Sequence, residues 1–269
     1  MQNEIDNKEM SFIDHLEALR WHLIRSIIAI SALTVVAFIF KEFVFDEIIL
    51  APNKSSFFTY NFFCELASKY NISTLCIDFH PLKLINIYMS GQFVVHIIMS
   101  IIIGVVLSYP YLVFELWLFI KPALKSKEKI YFNGLIISSS FLFFLGVLFG
   151  YYLIIPLTLN FFESYSISES VINAINIDSY ISTFISVILI NGLVFQMPLL
   201  VYVLSKAGIV SPSFLKRYRR HAIIIILIIA AIITPPDIFS QIIVSIPIVL
   251  LYQISILISH FVKRTNDKV

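Results

Sequence analysis

The stretch F-I-K-P-A-L-K-S-K-E-K, Phe119 to Lys129, is a short charged hairpin between two long apolar runs. Pro122 ends the helix that arrives through Trp117 and Phe119. Beyond it the carboxylate of Glu128 stands among Lys121, Lys125, Lys127 and Lys129. By charge content alone this is a solvated cytoplasmic turn whose lysines set membrane topology. The other residues with chemistry to offer are polar groups inside apolar runs, namely Glu115, Asn191, Gln196, Gln241 and Gln253. Burying such groups without a partner costs on the order of 1 kcal/mol or more, so interhelical hydrogen bonds are expected of the amides. Enzyme signatures are missing: there is no phosphate loop, no G-x-S-x-G and no H-E-x-x-H. The 6 histidines offer no two on one helical face near an acid, so no metal site is expected, and His96 reads as a packing residue. No cofactor and no catalytic residue are expected.

The elements that must position these groups are membrane spans. The chain has 59% hydrophobic and 13% charged residues and a mean hydropathy of +0.91, whereas soluble domains carry about a quarter charged residues. An all-α polytopic membrane protein of six transmembrane helices is expected. Crossing about 30 Å of hydrocarbon takes about 20 residues, and candidate spans lie at about 23–44, 93–114, 132–155, 179–204, 221–234 and 238–262. The fifth is short; its helix reaches only about 21 Å before the turn Thr234-Pro235-Pro236-Asp237, which hints at a functional surface. The whole chain, 1–269, reads as one membrane domain.

Basic residues set the orientation. Lys8, Arg20 and Arg25 open the first span; the hairpin lysines follow the second. Lys206, Lys216, Arg217, Arg219 and Arg220 follow the fourth, and Lys263, Arg264 and Lys268 the sixth. Only Lys41, Lys54, Lys69 and Lys83 are left for the other face, which places both termini and the hairpin 119–130 inside. No cleavable leader is expected at the N-terminus. The outside loop 45–90 carries an aromatic cluster, Phe57, Phe58, Tyr60, Phe62 and Phe63. It also holds Cys64 and Cys76, which suit either a disulfide in an oxidising compartment or two buried thiols. Gly146 and Gly150 form a small-x-x-x-small pair for close helix packing.

Four motifs in order carry a resemblance: F-I-D-H-L-E-A-L-R (Phe12 to Arg20), W-L-F-I-K-P-A-L-K-S-K-E (Trp117 to Glu128), F-Q-M-P (Phe195 to Pro198) and T-P-P-D-I-F-S-Q (Thr234 to Gln241). Together they resemble TatC, the multispanning receptor family of twin-arginine protein export. The resemblance implies a non-enzymatic translocase core in the bacterial inner membrane that exports folded proteins on the protonmotive force. It implies TatA-type and TatB-type single-span partners, twin-arginine signal peptides, the lipid bilayer and a homo-oligomer within a larger complex, and no nucleic acid. Two adjacent guanidiniums call for carboxylates in fork geometry at a cytoplasmic surface.

Glu128 matches the family's hairpin acid and Phe119 its aromatic partner. The family's second acid falls at Ala18 in this chain, with Glu17 one residue and about 100° away on a helix, so either Glu17 substitutes or Glu128 carries most of the recognition. Arg20 matches the motif's arginine, Asp237 the acid of the outside turn, and Pro52 a proline of the first outer loop. Gln196 stands where many members carry a glutamate, and an amide cannot titrate. The rival reading, a small-solute secondary transporter, needs an ionisable centre at mid-membrane, and the middles of these spans contain no Asp, Glu, Lys or Arg. An intramembrane enzyme needs a constellation that is missing as well.

Overall fold

The computed structural model describes residues 12–71, 76, 81–121, 132–166, 168, 173–233 and 238–266. The order is α1 (Phe12–Ile39), a π-helical segment Phe43–Ile49, a 3-10 turn Ala51–Asn53, α2 (Phe58–Tyr70), β1 (Lys83–Ile85), α3 (Gly91–Ile120) and α4 (Phe132–Phe149). A π-helical turn Gly150–Ile154, α5 (Ile155–Ser164), β2 (Ala174–Asn176), α6 (Ile177–Val194), α7 (Met197–Lys206), α8 (Pro212–Arg217), α9 (Arg219–Ile233) and α10 (Ile238–Asn266) follow. Among the described residues the fold is all-α apart from β1 and β2, which pair in parallel with Leu84 opposite Ile175.

Among the described residues five stretches are long and apolar enough to cross a membrane: His15–Ile39, Gly91–Ile120, Asn133–Ser164, Ile177–Lys206 and Val244–Lys263. α9 has 15 residues, about 22 Å of helix, and is as short as its sequence suggests. The third stretch runs further than expected. Pro156 sits in the first turn of α5 instead of ending the helix, because the π-helical turn before it loosens the hydrogen-bond ladder where the ring removes a donor. The fourth is broken at Phe195 and Gln196, where Pro198 opens α7 and disfavours a continuous helix.

The described chain forms two compact units, Met1–Ile39 with Ser100–Ser140 and Phe40–Met99 with Phe141–Val269. In the first unit α1 lies close to α3: a Cβ added to Gly104 would stand 3.0 Å from the Ile30 carbonyl and against Thr34. Tyr109 and Ser139 join α3 to α4 with a 3.1 Å hydrogen bond between hydroxyls. Glycine thus sets the spacing, and a polar pair adds direction.

In the second unit Gly146 lets α4 reach α6, since a Cβ there would stand 2.5 Å from the Asn191 carbonyl oxygen. Serines seat α7 on α10, with Ser205 Oγ donating to Ser259 Oγ at 2.8 Å. Tyr252 of α10 donates to the Leu215 carbonyl of α8 at 2.8 Å. With its amide oxygen facing α9, Gln253 accepts both Nε and Nη2 of Arg219, at 2.8 and 2.9 Å. Gln241 donates to the Leu227 carbonyl at 3.1 Å. Both glutamines therefore bond between helices, as expected of amides in apolar spans. Asn191 does not: its amide donates to Val187 of its own helix at 2.7 Å, and its Oδ1 finds no partner among the described residues.

Irregular backbone collects in the segment 43–53. Its carbonyls fall outside α-helical pairing, and buried carbonyls need donors. Tyr151 donates to Ile48 at 2.8 Å, Tyr180 to Ile49 at 2.5 Å and Tyr60 to Pro52 at 2.9 Å. Asn53 exchanges two hydrogen bonds with the backbone of Leu82, leading into β1. Cys64 and Cys76 are joined as a disulfide. Phe57 stacks on Tyr152 at 5.5 Å and meets Tyr60 edge-on at 6.2 Å. The aromatic cluster of the sequence is thus part of a cap built on that segment.

Candidate functional site

The motif F-I-D-H-L-E-A-L-R is helical throughout and forms the start of α1. Helical spacing puts His15, Ala18, Leu19 and His22 on one face. Those residues are half-buried, whereas Glu17 and Arg20 are exposed. Glu17 therefore points away from the face that carries Ala18.

Facing that stripe is one of α3, where Tyr111, Glu115 and Phe119 recur every four residues. His15 stacks on Phe119 with ring centroids 4.2 Å apart, and His22 meets the same ring edge-on at 6.1 Å. One turn along, Glu115 accepts His22 Nδ1 at 2.5 Å on Oε2 and the Tyr111 hydroxyl at 2.6 Å on Oε1. Arg25 Nη1 stands 4.0 Å from Oε2. The Glu115 side chain is 4% exposed and that of Arg25 55%, so the carboxylate is desolvated while one cation beside it stays wet. A carboxylate buried in this way needs donors around it, and His22 and Tyr111 supply them.

This cluster corrects one expectation of the sequence. His15 and His22 do share a helical face, and His22 does lie beside an acid; the acid comes from another helix, which periodicity along one chain segment cannot reveal. The seven-residue spacing of the histidines marks one face of α1, but nothing in it says which residue of α3 faces it. No group of metal-binding side chains occurs among the described residues.

The remaining sequence-predicted positions fall elsewhere. Gln196 is 7% exposed and precedes α7 at the break in the fourth stretch, its N–H donating to Leu193 at 3.0 Å. Pro52 is fully buried in the 3-10 turn of the cap and offers its carbonyl to Tyr60. His96 packs edge-on against Phe45 at 5.8 Å and lines a cavity of about 370 Å³ with Lys41, Glu42, Asp46 and Gln92. Glu128 and Asp237 lie outside the described residues.

A family model described as Sec-independent protein translocase protein (TatC) matches residues 14–247. The chain belongs to the TatC family. A TatC protein of Blattabacterium sp. subsp. Periplaneta americana is 41% identical, over 98% of this chain and 99% of its own length. One from Aquifex aeolicus is 32% identical, over 97% and 99%. The crystal structure of the twin-arginine translocase receptor TatC superposes with a TM-score of 0.69 at 32% identity, covering 93% of this chain and 99% of that one. As a TatC protein the chain is a component of a Sec-independent protein translocase and a multi-pass protein of the bacterial inner membrane. TatC is by family a transport subunit and not an enzyme. The family leaves the small-solute transporter reading without support.

Proposed function

We propose that this chain is the twin-arginine signal-peptide receptor and core of its translocase, exporting folded proteins on the protonmotive force. The observation that carries this reading is the order of four motifs along a chain whose family is established, with the N-terminal and hairpin motifs meeting at Phe119 and His15. Glu128 is the carboxylate that takes the paired guanidiniums, through short charge-assisted hydrogen bonds in a fork geometry that lysine cannot copy. Glu17 points elsewhere than Ala18 and contributes less. Arg20 anchors α1 at the headgroups. Asp237 and Pro52 serve the architecture of the outer turns, and Gln196 forms a polar patch that recruits a partner helix without carrying protons. Partners are TatA-type and TatB-type single-span proteins and further copies of this chain, in a six-span arrangement with both termini inside and α9 as the short span.

Site-specific photocrosslinking tests it. Glu128→Ala and Glu128→Lys abolish crosslinking of an Arg-Arg precursor while the protein stays in the membrane, and a Lys-Lys precursor fails already with the unaltered chain. Crosslinking that survives Glu128→Lys would overturn the assignment.

A further inference from the structure

Glu115 is a polar group near the end of an apolar run, and the export reading gives it no task. In the structure it is the carboxylate on which α1 and α3 converge. Each of its oxygens accepts one hydrogen bond, Oε2 from His22 of α1 and Oε1 from Tyr111 of α3. The imidazole it holds touches the edge of Phe119, and a second imidazole, two turns earlier on α1, stacks flat on the same ring. Ser26 donates to the His22 carbonyl at 2.8 Å, which bonds this stretch of α1 to itself. The ring of Phe119 is therefore bracketed by two histidines, one of which is fixed by Glu115.

Position 18, where the family acid is missing, lies between those histidines on the same half-buried face. A carboxylate there would stand beside two imidazoles and a phenyl ring. Beside that face Glu115 of α3 is buried and bonded to His22. Its effect on an incoming peptide must be transmitted through the rings it holds.

We propose that Glu115 is a positioning residue of the signal-peptide site: through His22 it sets the plane of Phe119 against the N-terminal face of α1, and so the fit of an arginine-bearing peptide. The proposal rests on the receptor reading for its ligand, but its geometric half does not. A guanidinium stacks flat on an aromatic face and so depends on how that face is oriented, whereas an ammonium acts as a compact point charge. Loss of the clamp lowers arginine-peptide binding more than lysine-peptide binding.

The experiment uses the full chain in nanodiscs with 4-fluorophenylalanine at position 119 and two synthetic signal peptides, one with paired arginines and one with paired lysines. Glu115→Gln and His22→Ala are each expected to move the fluorine resonance without peptide, and to weaken the arginine peptide about tenfold, the scale of one lost charge-assisted hydrogen bond. The exchanged pair His22→Glu with Glu115→His restores both readouts, as loss of fold by either single variant would not predict for the resonance. An unmoved resonance in Glu115→Gln overturns the proposal whatever the peptides do. So does a loss of binding in Glu115→Gln that His22→Ala does not share, because Glu115 would then act directly. If the unaltered chain fails to prefer arginine over lysine while the resonance shifts as described, the receptor reading fails and takes the ligand half with it; the clamp itself stands.

Discussion

In the α1–α3 cluster one carboxylate, Glu115, receives both His22 and Tyr111, whereas in the cap three tyrosines bring one hydroxyl each to three different carbonyls, those of Ile48, Ile49 and Pro52. The first arrangement concentrates its polar contacts on a single group. The second distributes them and adds a disulfide between Cys64 and Cys76. The chemistry of each place accounts for the difference. Irregular backbone leaves several carbonyls that each need a donor, so the cap must spend many side chains. Regular helices need none, so one polar group between α1 and α3 is free to act as a locator. A hub makes orientation depend on one residue, and a distributed cap tolerates the loss of any one member.

The largest stability effect expected from breaking either region is covalent. Replacing Cys64 and Cys76 by serine releases a loop of sequence separation 12, worth about 3 kcal/mol by loop closure. Thermal unfolding in nanodiscs measures it. Binding of a twin-arginine peptide should stay within about twofold of the unaltered chain, because no residue of the α1–α3 cluster is touched. A loss of binding as large as that of Glu128→Lys would show that the two regions are not independent and would break the contrast.

Next in size comes the direct test of hub against network. Glu115→Ala removes the acceptor of two donors at once and should cost about 2 kcal/mol, while Tyr180→Phe leaves one carbonyl short and should cost about 1 kcal/mol. Denaturation in mild detergent with matched reconstitution compares them. Tyr151→Phe added to Tyr180→Phe should contribute its own similar increment, since the two hydroxyls serve different carbonyls. If Tyr180→Phe alone proves as costly as Glu115→Ala, the cap is not distributed.

These two regions also mark how far the sequence could be read. The fold class, the short α9 and the four motifs were legible because each is a local pattern. The interhelical bonds of Gln241 and Gln253 were legible too, since an amide in an apolar run has few other options. His15, His22 and Glu115 were not, because their meeting depends on how far α1 is offset along α3, and that offset is written in packing at Gly104 and not in any period. The π-helical turn ahead of Pro156 was hidden for a related reason: a proline alone reads as a helix end, and only the neighbouring backbone decides otherwise. Asn191 broke the amide expectation because its own helix offered Val187 as the nearer acceptor.

The smallest effect sharpens the account of the cap through pH. Tyr60, buried at 4% exposure, has its phenol pushed up from 10.0 to about 12 by burial. The folded chain thus keeps a proton that the unfolded chain releases between those values. Stability from this group is whole below pH 10.0 and falls as pH rises toward about 12. Tyr60→Phe has no proton to lose there, so it should be slightly less stable than the unaltered chain at neutral pH, through the lost bond to Pro52, and the gap should narrow above about pH 10. Thermal unfolding of both proteins across that range reads the gap directly. A gap that widens with pH would mean that the folded cap stabilises the phenolate, and burial of the Tyr60 hydroxyl against the Pro52 carbonyl could not then be what holds this corner.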